Sequence, residues 1–152
     1  MIVYLGADHR GFRLKETLKT ALKRAGHRVV DMTSSVSRLD DDYPDIAASV
    51  AGIVAVMPKK RRGILVCESG VGMDVVANKF PGIRCALGIS VPQIRSARRD
   101  DDVNILAIAA EFTPKATAYA MTKIFLTQEF SKIPRYTRRI KKIAALERSL
   151  RS

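Results

Sequence analysis

Gly63-Ile64-Leu65-Val66-Cys67-Glu68-Ser69-Gly70-Val71-Gly72 joins an apolar run to a turn of small residues, and Met73-Asp74-Val75-Val76-Ala77-Asn78-Lys79 follows. The run reads as a buried strand and the stretch after the turn as the start of a helix. A small-residue turn at such a junction aims successive backbone N–H groups at one point beside a helix N-terminus. That is the geometry of an anion or oxyanion site. Cys67 ends the strand at the mouth of this site. The same dipoles would stabilise its thiolate, so it is a candidate base or nucleophile with a lowered pKa. A cysteine at a strand end is also a common small core residue, and a Gly-rich turn also serves merely to tighten a connection. The turn is not a dinucleotide fingerprint, because the third glycine is missing and it follows the third strand rather than the first. It is not a Walker loop either, because no Lys-Ser/Thr follows. Gly6 to Gly11 has Walker-like spacing but runs on into Phe12-Arg13.

Around this junction the chain alternates. Ile2–Leu5 reads as a strand and Gly11–Ala25 as an amphipathic helix with Leu14, Leu18, Ala21 and Leu22 on one face. Gly26 stops that helix, His27–Asp31 is a second strand, and Thr33–Asp42 a polar loop. Tyr43-Pro44-Asp45 opens the next helix, with proline in its first turn. Gly63–Cys67 is the third strand and Met73–Phe80 a short helix. Ile83–Leu87 is the fourth strand, Val91–Arg99 a helix, Ile105–Ala109 the fifth strand and Pro114–Phe125 a helix. A basic tail helix over about Tyr136–Arg148 ends the chain. Five strands alternating with helices predict a Rossmann-like three-layer α/β/α fold around a five-stranded parallel sheet, with a C-terminal tail helix beyond it. Ligands in such sheets sit at the C-terminal strand ends, where Ala7-Asp8-His9 and Cys67–Gly72 both fall.

The 152 residues predict one domain, with enough chain to bury a core. The apolar fraction of 47% is ordinary for a globular protein, and no apolar run approaches the roughly 20 residues of a membrane span. Met1–Gly6 is too short for a signal peptide and runs straight into a motif, so the cytoplasm is expected. In that compartment a structural disulfide between Cys67 and Cys85 is not expected, and no metal-ligand spacing is present. The net charge of +12 is unusual, and residues 132–152 carry eight Lys/Arg against the single acid Glu147. Such a helix grips phosphate or forms a solvated face. Nucleic acid is not the expected ligand: zinc-finger spacing is absent and aromatics for base stacking are few.

Gly6-Ala7-Asp8-His9-Arg10-Gly11, Asp42-Tyr43-Pro44, Cys67–Met73, Ala77-Asn78-Lys79 and Gly82-Ile83-Arg84 together resemble the type B ribose-5-phosphate isomerases. That group includes galactose-6-phosphate isomerase subunits. The resemblance runs in order through the Arg135–Arg139 region. It implies a Rossmann-like fold, a homodimer or tetramer with active sites between subunits, no metal or other cofactor, and aldose–ketose isomerisation of a small phosphorylated sugar. Ribose 5-phosphate to ribulose 5-phosphate is the first expectation. An isomerase for another tetrose, pentose or hexose is the nearest alternative, and a non-catalytic sugar-phosphate or polyanion-binding relative a third. Isomerisation moves a proton from C2 to C1 through an enediolate, so it needs a base and donors for the developing oxyanion. The resemblance places the base at Cys67. It places the oxyanion and substrate loop at Ser69, Gly70, Val71, Gly72 and Met73, with Ser69 in a hydroxyl position. Asp8 and His9 match residues that hold the sugar, Tyr43 an active-site-edge residue, and Arg135 and Arg139 phosphate-binding arginines on one helix face.

The chain also departs from the family. Asp100-Asp101 stands where the family usually has His-Asn, whose histidine assists ring opening. Glu111 replaces a phosphate-binding arginine, Tyr136 a histidine, and Glu68 a loop glycine. Cationic donors are lost and carboxylates gained. Acid–base work then moves to Asp100 or His9, with Asp100 raised in pKa by its acidic neighbour Asp101, or the substrate differs from ribose 5-phosphate, or activity is weak. Glu68 and Asp101 count with the expected substrate-binding residues.

Overall fold

The computed structural model describes residues 1–33 and 41–150. Most of the polar loop expected over 33–42 lies outside the described residues. Five strands, β1 (Ile2–Ala7), β2 (Arg28–Asp31), β3 (Arg61–Cys67), β4 (Cys85–Gly88) and β5 (Ile105–Ala109), form one sheet. Its order is β2-β1-β3-β5-β4, and every pair is parallel. Both faces are covered, which is why the strands read as continuous apolar runs. Val3, Leu5, Ile64, Val66, Leu106 and Ile108 point to one face. There they meet α1 (Phe12–Arg24), α4 (Val91–Asp101) and α5 (Lys115–Thr127) through Leu14, Leu18, Ile94, Met121 and Phe125. The alternating residues Tyr4, Leu65, Cys67 and Ile105 point to the other face, onto α2 (Tyr43–Val56) and α3 (Val71–Ala77). The three layers follow from period-two strands and one apolar stripe per helix.

The chain leaves β1 toward one face and β3 toward the other. The turns after these adjacent strands therefore diverge, opening a crevice at their C-terminal ends. α6 (Pro134–Ser149) lies beside α4 and buries Tyr136, while Glu147 Oε2 accepts the Gly82 N–H at 3.0 Å. No described helix is long and apolar enough to cross a membrane.

Two charged networks sit inside these layers. On α1, Lys15 is fully buried, with Nζ 2.8 Å from Asp31 Oδ2, 3.1 Å from Thr33 Oγ1 and 3.1 Å from Glu16 Oε1. Burial alone would push the Asp31 carboxyl up, but hydrogen bonds from Lys15 and Lys19 outweigh it and hold the pKa below the usual carboxylate value. Lys15→Met is expected to cost about 1–3 kcal/mol at neutral pH by chemical denaturation. Because the Asp31 pKa is lowered by folding, its contribution is present above the ordinary carboxylate value and fades as pH falls through the folded one. The gap between wild type and variant should narrow in acid, and an unchanged gap would discount this pair.

The second network lies at the opposite, N-terminal edge of the sheet. Asp102 bonds Arg98 Nη1 at 2.6 Å and Arg84 Nη2 at 3.0 Å. Arg62, buried at the start of β3, faces the same group. Burial and then the Arg98 charge push the Arg62 guanidinium down to about 10, with Asp102 acting in the other direction.

Candidate active site

β3 ends at the middle of the sheet, with Cys67 paired to Ala109 of β5, and the Ala110 N–H bonds to the Cys67 carbonyl at 2.8 Å. Gly70, at the N-cap of α3, has φ +74°, a left-handed conformation that glycine adopts without penalty. A Cβ there would lie 2.5 Å from Leu87 Cδ1 and 3.1 Å from Ala109 N, so the position is closed sterically as well. This turn folds the loop back over the strand end. The N–H groups of Met73, Gly70 and Ser69 lie on the Cys67 side of this loop and favour its thiolate. Ser69 is exposed, and its Oγ accepts the Val71 N–H at a long 3.4 Å.

The expectation of a lowered thiol pKa is overturned. Cys67 is 5% exposed, and burial raises its pKa above the usual thiol value. The three N–H groups pull it down without cancelling that effect, and the Asp8 carboxylate adds to the rise. Dipoles were visible in the sequence; the depth of the sulfur was not.

Asp8 opens the turn after β1, is buried, and accepts the Gly11 N–H at 2.8 Å. Its pKa is raised, first by burial and then by the charge of Asp41, against the Gly11 bond. His9 follows, with ring Nδ1 2.9 Å and backbone N 3.2 Å from Asp41 Oδ1. Tyr43 begins α2, and its ring lies where a side chain on Gly72 would go. These turns border a cleft of about 490 Å³ lined by His9, Arg10, Phe12, Arg13, Glu68, Ala110 and Glu111. Arg10 and Glu68 form a loose pair across it at 3.9 Å.

Asp8, Cys67 and the 69–73 loop are thus brought together, with Tyr43 against the loop and His9 and Glu68 in the adjoining cleft. Asp100, Asp101, Arg135 and Arg139 do not line that cleft. Asp100, near the end of α4, is held by Arg99 through two bonds of 2.7 and 2.9 Å. The Arg99 bond and the Tyr136 hydroxyl keep its pKa below the usual value, which corrects the expectation of a raised one. Asp101 shows its carbonyl to Arg84 Nε at 2.9 Å. Arg135 donates to the Tyr136 hydroxyl at 2.7 Å, and both Arg135 and Arg139 lie over its ring, 4.7 and 5.8 Å from the centroid. Sequence reasoning missed Arg10, Phe12, Arg13 and Ala110 as cleft residues, and Asp41 as the partner of His9. Arg10, Phe12 and Arg13 could have been found from their place in the first turn after β1. Asp41 is 32 residues from His9, and no local pattern signals that contact. Among the described residues, no group of three His, Cys, Asp or Glu is placed to hold a metal ion.

A thiol, a carboxyl and a loop of N–H groups thus meet at the switch point of a parallel α/β/α sheet, an arrangement able to hold a small anionic ligand and move a proton on it. The Ribose/Galactose Isomerase family model matches residues 3–143, and the chain belongs to that family. It is 38% identical over 149 residues to ribose-5-phosphate isomerase B of Mycolicibacterium paratuberculosis, covering 98% of this chain and 93% of that one. It is 36% identical to a putative sugar phosphate isomerase of Bacillus subtilis, covering 97% of each. Among solved structures, ribose-5-phosphate isomerase B of Mycoplasma genitalium with bound ribulose-5-phosphate superposes with a TM-score of 0.93 at 34% identity, covering 97% of this chain and 96% of that one. The Clostridium thermocellum enzyme gives 0.93 at 33% identity, with 99% of each covered.

Proposed function

We propose that the chain is an aldose–ketose isomerase of a sugar phosphate, converting ribose 5-phosphate to ribulose 5-phosphate in the cytoplasm. The loop folded back by Gly70 over the Cys67 strand end, with its backbone N–H groups favouring the thiolate and Asp8 beside it, carries this reading. The Cys67 thiolate takes the proton from C2 and returns it to C1. Negative charge thus moves from sulfur to an enediolate oxygen, and the same cradle of N–H groups serves both. Asp8, buried beside the sulfur with its pKa raised by burial, hydrogen-bonds a sugar hydroxyl. The likeness to the ribulose-5-phosphate-bound Mycoplasma genitalium enzyme supports the substrate. A panel of tetrose, pentose and hexose phosphates and free sugars tests it, with ribose 5-phosphate expected to give the highest kcat/KM. A different sugar ahead of it would replace the substrate and keep the chemistry. Glu68 and Glu111 in the cleft are the observation that favours this second outcome.

The same reading includes a homodimer or larger assembly in which Arg135 and Arg139 of one copy reach the cleft of another. Neither arginine lines the cleft of its own chain, which supports it. Mixing inactive Cys67→Ala protein with inactive Arg135→Ala/Arg139→Ala protein should restore activity that neither has alone. No recovery, with a monomer in sedimentation, would remove the shared site.

A further inference from the structure

The edge of the sheet opposite the cleft, where the strands begin, carries a row of positive charge that isomerisation does not use. β2, β1 and β3 are neighbours, and their register sets Arg28, Ile2 and Arg61 side by side. Strands lie about 4.8 Å apart, so Arg28 and Arg61 stand about 10 Å from each other. α1 runs back across the sheet and ends at the same edge, with Lys23 and Arg24 in its last turn. The turn before β3 adds Lys59 and Lys60. It is closed by the Lys60 and Arg61 N–H groups, which donate to the Met57 carbonyl at 2.9 and 3.0 Å. Arg61 is held in place: Nη1 donates to the Ile53 carbonyl at 2.7 Å, and the guanidinium lies 5.7 Å from the centroid of the Tyr4 ring. Lys23, Arg24, Arg28, Lys59 and Lys60 are exposed. Residues 23–28 and 56–61 contain no acid, and no described carboxylate pairs with any of the six cations. The two segments are far apart in the chain, so only the fold assembles the row.

We propose that this edge binds double-stranded nucleic acid through its phosphates, independently of the cleft. Cations gathered without counter-charges repel one another, and an outside polyanion relieves that repulsion. A duplex offers a rigid array of about one negative charge per 1.7 Å of axis, which suits a row fixed by strand register and a closed turn. Single strands are held largely by base stacking on aromatic rings. The exposed rings, Tyr43, Phe112 and Tyr119, belong to other segments. Val56 and Met57 are exposed in the same turn, but two apolar side chains are too few to anchor a membrane, since a whole acyl chain binds only marginally. Nothing at this edge is shaped to read base edges, so binding is independent of sequence. The seven residues of β3 put the row about 20 Å from the cleft, so duplex and sugar can be held together.

Fluorescence anisotropy with short labelled DNA and RNA duplexes of mixed sequence tests this. At least one duplex should bind with a Kd of about 10⁻⁴–10⁻⁶ M near physiological salt, and log K should fall against log salt with a slope of about −4 to −5. Lys59→Glu/Lys60→Glu should weaken binding at least about 10-fold and flatten that slope by about 2, with kcat and KM for the sugar unchanged. Lys59→Gln/Lys60→Gln should flatten the slope equally without adding acids to the turn. Lys115→Glu/Lys123→Glu, an exposed pair on α5, changes the net charge as much as the first variant and should leave affinity within about 3-fold. Equal losses in the two Glu variants overturn the proposal, because diffuse net charge then accounts for binding. So does a lack of binding to both duplexes, or an unchanged affinity in both position 59/60 variants. Tighter binding to phosphatidylserine vesicles or to polyglutamate than to either duplex overturns it too. A chain inactive on every sugar overturns the isomerase reading alone, since the anisotropy needs no turnover.

Discussion

Cys67→Ala is expected to lower kcat by about 10²–10⁴-fold, the range a positioned general base supplies. The loss should fall on kcat rather than on KM, because in the proposed reaction the sulfur serves the reacting carbon and not the distal end of the sugar. Stability should change little: removing one buried sulfur costs about 1 kcal/mol. The pH profile gives a second reading. Burial raises the Cys67 pKa above the usual thiol value, and in the proposed reaction the thiolate is the working form. The kcat should therefore still climb with pH above the value of a free thiol, and Cys67→Ala should lack that rising limb. The linked stability has a definite sign. With the folded pKa raised, the contribution is complete below the unfolded thiol value and is lost as pH climbs through the folded one, so gains in rate are offset by losses in stability. A Cys67→Ala enzyme within a few-fold of wild type would remove the assignment.

Asp102→Asn is expected to destabilise the fold by about 3–5 kcal/mol, since it removes the carboxylate shared by buried guanidinium groups. Arg98 is 4% exposed and Arg62 6%, and Arg84 bonds the same carboxylate. Without it their charges face one another in the interior. Asparagine is the informative replacement. Residue 102 has φ 47°, and asparagine tolerates the left-handed region as aspartate does, so backbone strain does not enter. Arg98 would keep its 2.7 Å bond to the Val103 carbonyl and Arg84 its bonds to main-chain oxygens, so the variant isolates the charge. Urea denaturation measures it, and a loss under about 1 kcal/mol would show that the arginines are neutralised from elsewhere.

The sheet and its order of elements were legible because strands buried on both faces read as plain apolar runs. Element ends were less so. β3 begins at Arg61 rather than Gly63, because an apolar run cannot reveal that Arg62 is buried and paired to carbonyls. α4 reaches Asp101 rather than Arg99, and its two acids looked like a loop. At the site, Cys67, Asp8 and the glycine turn were readable because strand ends and small residues are local features. The thiol's raised pKa, the Arg99 bond that keeps Asp100 ionised, and the His9–Asp41 contact were not. Each depends on depth, on a side-chain rotamer or on a neighbour far along the chain. Arg99 stood next to Asp100 in the sequence, but adjacency alone did not decide between that partner and the acid on the other side.

Tyr43 and Gly72 have a consequence for how this loop can change. A Cβ at position 72 would lie 2.7 Å from Tyr43 Cε2 and 2.8 Å from Cζ. The ring is 42% exposed and belongs to another helix, so it has room to swing outward. A larger residue at 72 is thus admissible only together with a smaller or displaced one at 43. The two positions behave as one locus: a larger residue at 72 displaces the Tyr43 ring or calls for a smaller residue at 43, and a library that varies the loop while holding Tyr43 fixed leaves out the shapes a smaller residue there would open.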